Sequence, residues 1–162
     1  MESQQDYLKR RFDYESWRGK DAADGGMLIG GLRLTGDELP GWQPHRIQRG
    51  ELENLPPYIH SIWRRVDGGD EVLLRLDIYE CASAAAAREF LLRLLGELQS
   101  PEIARQEQNT VGDVAFVYPQ ETMILFTRLN LVLQLRNAGR EVVQVTGLAR
   151  QLDQTLTGRI PR

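Results

Sequence analysis

The sequence predicts an α+β protein: an antiparallel β-sheet with two amphipathic helices packed on one face, plus an N-terminal helical arm. Three observations predict it. In residues 71–81, Val72, Leu74, Leu76 and Ile78 alternate with Arg75, Asp77 and Tyr79, the two-residue period of a strand with one buried face. Residues 83–99 place Ala84, Ala87, Leu91, Leu94, Leu95 and Leu98 at helical spacing, and residues 141–156 do the same with Val142, Val145, Leu148, Ala149, Leu152 and Leu156. Between those helices lie three more strand-like runs, at 111–118, 122–127 and 129–136.

The elements follow in order. Residues 4–18 are charged and aromatic, with Leu8 and Phe12 four apart on one helix face, which predicts a short surface helix or arm. Acidic residues followed by Gly25-Gly26 mark a loop and put the boundary at about residue 26, so 1–26 is expected as the arm and 27–162 as a single α+β domain. Residues 27–34 are β-compatible but interrupted by Gly30-Gly31, so a short or bulged strand is expected. A strand is expected from Trp42 to about Gly50, and another at 58–66 after Pro56-Pro57, which cannot donate to a sheet ladder. Asp67-Gly68-Gly69-Asp70 supplies a tight hairpin connection into the strand at 71–81. Ser83 is placed to cap the following helix, and Ser100-Pro101 ends it. Asn137-Ala138-Gly139 turns the chain into the last helix, and Gly158 stops it.

Composition narrows the function classes. The chain has 162 residues, 41% hydrophobic and 27% charged, which suits one ordinary globular domain. Its net charge is −3, so no long-range attraction to nucleic acid or an anionic membrane is expected, and no apolar run is long enough to span a bilayer. The first residues lack a basic stretch followed by an apolar core. The expectation is therefore a cytoplasmic protein, or an extracytoplasmic one from which a leader has been removed. Cys81 is the single cysteine, which rules out an intrachain disulfide and a multi-cysteine metal site. His45 and His60 sit outside any zinc-binding spacing, and the phosphate-cradling glycine loops and the GxSxG nucleophile motif are absent. No metal and no cofactor is expected.

What remains is the polar side of the sheet. Arg75, Asp77, Tyr79, Asn130, Gln134 and Arg136 are the candidate ligand-binding residues, because arginine forks beside amide and phenol groups suit carboxylates, phosphates or peptide backbone. The plainer reading is a solvated face with cross-strand polar pairs. Cys81 stands where a strand meets a helix N-terminus, a setting that can activate a thiol, but a small buried hydrophobe explains it as well. Trp17, Trp42 and Trp63 are expected as core anchors.

The helix containing Phe90, Val111-Gly112-Asp113-Val114-Ala115, Arg128-Leu129-Asn130-Leu131-Val132-Leu133 and the closing helix with Ala149, Leu152 and Asp153 together resemble small bacterial sensor or lipoprotein-type domains. The pattern is similar to the extracytoplasmic sensor domains of bacterial receptor kinases and to the Mog1/PsbP-like α+β class, over residues 71–156. The resemblance implies an antiparallel sheet with helices and a binding or sensing role without catalysis. The chain departs from the sensor domains in lacking their paired cysteines. The expected function is a noncatalytic binding, sensing or interaction domain, with a small molecule or a protein as partner. The alternatives are a small enzyme assembled from scattered residues such as Cys81, His60 and Asp77, and a structural homo-oligomer formed through the N-terminal arm.

Overall fold

The computed structural model describes residues 2–17, 33–67, 69–106 and 111–159. The loop expected at 21–26, the boundary at 26 and most of the strand expected at 27–34 lie outside them. The described elements are α1 (Gln4–Arg11), β1 (Gln43–Leu52), β2 (Leu55–Asp67), β3 (Asp70–Glu80), α2 (Ala84–Leu98), β4 (Ala104–Arg105), β5 (Val114–Val117), β6 (Met123–Arg128), β7 (Leu131–Asn137) and α3 (Thr146–Arg159). The described strands form one seven-stranded sheet in the order β1-β2-β3-β7-β6-β5-β4, with every neighbouring pair antiparallel. The α+β class, the antiparallel sheet and the N-terminal helix are as the sequence predicts.

The placement of the helices differs from expectation. Both were expected on the leucine face, but α2 and α3 lie on opposite faces. Leu74, Leu76, Ile78, Leu133 and Leu135 pack with Val145, with Ala149, Leu152 and Leu156 of α3, and with Leu39 and Trp42. Tyr79, Val132, Leu125 and Phe116 pack with Phe90, Leu91 and Leu95 of α2 and with Leu8 and Phe12. The cause lies in the short strands. β5 and β6 are apolar on both sides, with Val114, Phe116 and Leu125 facing one way and Ala115, Ile124 and Phe126 the other, and Val132 extends the apolar area on β7. Two apolar faces need two covers. The polar face is therefore roofed over β5–β7.

The N-terminal helix supplies part of that roof. Ser3 caps α1 by accepting a hydrogen bond from the Asp6 amide at 3.1 Å. Leu8 lies so close to Gly96 on α2 that a Cβ there would stand 2.7 Å from Leu8 Cδ1. Phe12 and Trp17 meet Phe116 with ring centroids 5.2 and 5.3 Å apart. Glu89 on α2 accepts from Gln5 Nε2 at 3.0 Å and from the Tyr14 hydroxyl at 2.9 Å. Leu8, Phe12 and Trp17 are thus buried inside their own domain.

Some boundaries shift for local reasons. β2 begins before Pro56-Pro57, next to the hairpin where Leu52 and Leu55 pair and where an absent ladder donor costs least. α3 starts at Thr146 rather than 141, leaving Val142 at 61% exposure. Asn137 holds the incoming chain extended, exchanging hydrogen bonds with Val143 at 2.9 Å each way.

α3 is tied to the far end of the sheet by an ion network. Asp153 accepts from Arg128 Nε at 2.7 Å, from Arg128 Nη2 at 2.6 Å and from the Gly112 amide at 2.8 Å. Asp113 accepts from Arg128 Nη1 at 3.3 Å and from the Leu129 amide at 2.7 Å. Leu129 (φ +54°) and Gly112 (φ +61°) both adopt the left-handed region, and a Cβ at Gly112 would collide with the Thr127 carbonyl. The C-terminal end of α3 is anchored separately: Arg159 Nη2 lies 2.6 Å from Glu38 Oε2, and Glu38, fully buried, also accepts from the Thr35 and Gly36 amides.

Arg128→Ala leaves the Asp153 carboxylate buried without its main partner and should cost about 3 kcal/mol in denaturant unfolding. Burial alone would push the Glu38 carboxyl up, but the Arg159 and Gly36 hydrogen bonds outweigh it and hold it below the usual glutamate value. Its contribution is therefore present above that usual value and is lost as pH falls through the lowered one. Melting curves from pH 7 downward should show this loss, and Glu38→Gln should start less stable and show a shallower acid dependence.

Candidate functional site

The register builds a polar surface on the α2 side of the sheet, where the helices stop covering it. Across β1, β2, β3 and β7, Arg46, Ile62, Arg75 and Arg136 stand in one row. The next row is Gln48, His60, Asp77 and Gln134, and the third is Gly50, Tyr58, Tyr79 and Val132. Tyr79 marks the edge of the helix layer, its ring 4.8 Å from that of Phe90.

Of the six residues proposed from sequence, five come together and one does not. Arg75 and Arg136 are directly opposite each other, as are Asp77 and Gln134, and Tyr79 lies one row further along β3. Asn130 sits at the β6–β7 turn, where its side-chain amide donates to the Cys81 carbonyl at 3.1 Å while the Cys81 amide donates to the Asn130 carbonyl at 2.8 Å. It fastens the end of β3 to the turn and lies away from the polar rows. Tyr58 and His60 are the members the sequence reading left out of the site. The hairpin could have revealed them, because counting back from the Asp67–Asp70 pair sets His60 opposite Asp77.

The contacts show how the charges are shared. Arg75 Nε donates to both oxygens of Asp77, at 3.0 and 3.1 Å, and the Asp77 side chain is nearly sealed from solvent. His60 stacks on Tyr58 with centroids 4.0 Å apart, its Nε2 lying 3.3 Å from the Tyr79 hydroxyl and 3.9 Å from Asp77 Oδ1. Burial lowers the His60 pKa, Asp77 opposes that, and Arg75 and Arg136 add to it, so the ring is neutral at pH 7. Burial and then Asp77 push the Tyr79 phenol up to about 12, leaving it a donor. Gln134 Nε2 donates to Met123 Sδ at 3.2 Å, a weak acceptor. Arg136 makes no ion pair among the described residues, and it faces a like charge that Asp77 already engages. Like charges directly opposite on neighbouring strands repel.

Among the described residues, open clefts at the α1–α2 groove, along the other side of α1 and beside the β1–β2 hairpin are not lined by the arginine pair. Among the described residues no group of His, Cys, Asp and Glu is placed to hold a metal ion, and no helix is long and apolar enough to cross a membrane. No protein-family model matches the chain, and no curated protein or solved structure matches it.

Cys81 is buried just past the end of β3, four residues beyond Asp77 and about 13 Å away along an extended chain. Burial and then Glu80 push its thiol up to about 12, the opposite of an activated nucleophile. A thiol reagent at pH 7 should therefore modify native Cys81 on the order of a thousandfold more slowly than the thiol of the urea-unfolded chain. Comparable rates would restore Cys81 as a reactive group.

Proposed function

We propose that the chain is a noncatalytic binding domain that takes an anionic group, a carboxylate or phosphate, on its polar sheet face between Arg75 and Arg136. The observation that carries this reading is the directly opposed arginine pair, one member bound to Asp77 and the other without an ion pair among the described residues. A guanidinium offers several donors in a fixed plane, which suits oxygens of a carboxylate or phosphate. The neutral His60 ring, the Tyr79 hydroxyl and the Gln134 amide supply uncharged polar contacts around that charge. Their arrangement supports recognition and gives no activated nucleophile.

The bacterial sensor and Mog1/PsbP-like likeness of residues 71–156 belongs to this proposal, as does the binding role it implies. The residues that carry the likeness, Gly112, Asp113, Arg128, Asn130 and Asp153, are engaged in holding β5, the β6–β7 turn and α3 together. The ligand face is separate from them.

Titration with inorganic phosphate and with small mono- and dicarboxylates, followed by amide chemical shifts, tests the proposal. Shifts should concentrate at residues 60, 75, 77, 134 and 136. Arg136→Ala and Arg75→Ala should each weaken binding about tenfold or more, the worth of lost charge-assisted hydrogen bonds. Arg150→Ala on α3 should leave it unchanged. Binding that survives both sheet substitutions sinks the site.

A further inference from the structure

We infer that His60 is a proton-operated gate on the anion site: once protonated it engages the Asp77 carboxylate and releases the charge of Arg75 to a bound anion. This gate rests on the reading of that face as an anion site and regulates it.

The reason lies in Asp77. A carboxylate at the centre of an anion site works against it, and this one is 2% exposed and takes Arg75 Nε on its two oxygens at 3.0 and 3.1 Å. Directly beside it on the neighbouring strands stand His60 and Gln134. Gln134 turns its amide to Met123 Sδ, which leaves His60 to compete with Arg75 for the carboxylate. His60 Nε2 lies 3.9 Å from Asp77 Oδ1, beyond hydrogen-bond range, and 3.3 Å from the Tyr79 hydroxyl. In the neutral ring that nitrogen can accept from Tyr79, whose phenol stays protonated. A protonated ring carries a hydrogen on both nitrogens and accepts nothing. Nε2 then donates to Asp77 after an approach of about 1 Å, and the Tyr79 hydroxyl is freed to donate to the anion.

The surroundings set the sign. Opposite His60 stand Gln48 on β1 and Asp77 on β3, with Tyr58 stacked on its ring and Arg46, Arg75 and Tyr79 diagonal to it. Arg136 acts from β7, and Glu97 of α2, paired with Arg93 at 3.0 Å, acts on Tyr79. With His60 neutral, the centre of the site sets Arg75 and Arg136 against Asp77; protonation adds a third cation to the same carboxylate. Burial lowers the His60 pKa, Asp77 opposes that, and the two arginines add to it, so the gate opens as pH falls below the usual histidine value. An anion seated between the arginines cancels their influence and raises the His60 pKa again. Binding and protonation therefore strengthen each other by the same factor. The His60 and Arg75 side chains are 23% and 34% exposed, so both proton and anion can reach them.

Sulfate stays doubly charged across this range and is the probe. Histidine ring-proton shifts followed from about pH 5 to 8 should place the His60 pKa about one unit higher in saturating sulfate than in chloride of equal ionic strength. Exposed His45 should not move and is the internal control. Sulfate affinity, read from amide shifts at residues 75 and 136, should be about tenfold stronger at the acid end than at the alkaline end, which is the same coupling seen from the ligand. His60→Gln should lose that pH dependence. An unchanged His60 titration beside sulfate shifts at 75 and 136 overturns the gate and leaves the binding face standing. Equal displacement of His45 and His60 is ionic screening and overturns it too. Sulfate that moves neither arginine at any pH removes the site and the gate together. If His60→Gln fails to fold, the two histidine titrations in the native chain decide.

Discussion

Arg128 and Asp153 are the constraint on which the rest of this structure depends. Hydrophobic burial drives the two layers onto the sheet, but it has no direction and tolerates sliding. The guanidinium–carboxylate pair does not, because two short hydrogen bonds fix both planes. Asp153 simultaneously holds the Gly112 amide ahead of β5, while Asp113 holds the Leu129 amide in the β6–β7 turn. One network therefore sets the register of three chain segments against α3. Taking these charges out of water is expensive, and the cost is offset only because each carboxylate oxygen of Asp153 and Asp113 has a donor. Gly112 is required for the same reason: its positive φ and missing Cβ let the amide reach Asp153 past the Thr127 carbonyl.

With α3 locked on one face, the other face must be closed by different material. α2 takes β6 and β7, and the segment following α1 takes β5 through Phe12 and Phe116. Together these helices are too narrow for the whole sheet. Among the described residues the β1–β3 side and the far end of β7 have no helical cover, and the row of Arg46, Arg75 and Arg136 lies there. The polar site is thus a consequence of partial roofing. Arg75 and Arg136 are half-buried beside the wall that Tyr79 and Phe90 form at one end, Asp77 is buried, and among the described residues no helix continues past that wall.

Much of the fold was legible in the chain because strands and helices bury residues with different periods. The alternation of Val72 to Ile78, the Ser83 cap and the Asp67–Asp70 hairpin each specify local geometry from neighbouring residues alone. α3 starts later than the spacing of Val142 and Val145 predicts, because Asn137, outside that window, holds the Val143 backbone through two hydrogen bonds. Asn130 lies off the polar rows for a similar reason. It continues the alternation of β7, yet a left-handed Leu129 turns the chain there, and its amide faces the Cys81 carbonyl.

The sequence by itself determined the class of fold, most of its elements and the polar character of one side of β3 and β7. Side-chain alternation is a local property and needs no knowledge of partners. Only the tertiary structure decided that the helices lie on opposite faces, that Arg75 meets Arg136 and Asp77 meets Gln134, and that β1 stands at an edge of the described sheet. Those outcomes depend on strand order and on which apolar surfaces compete for each cover. Both are properties of the whole assembled chain, and no window of residues contains them.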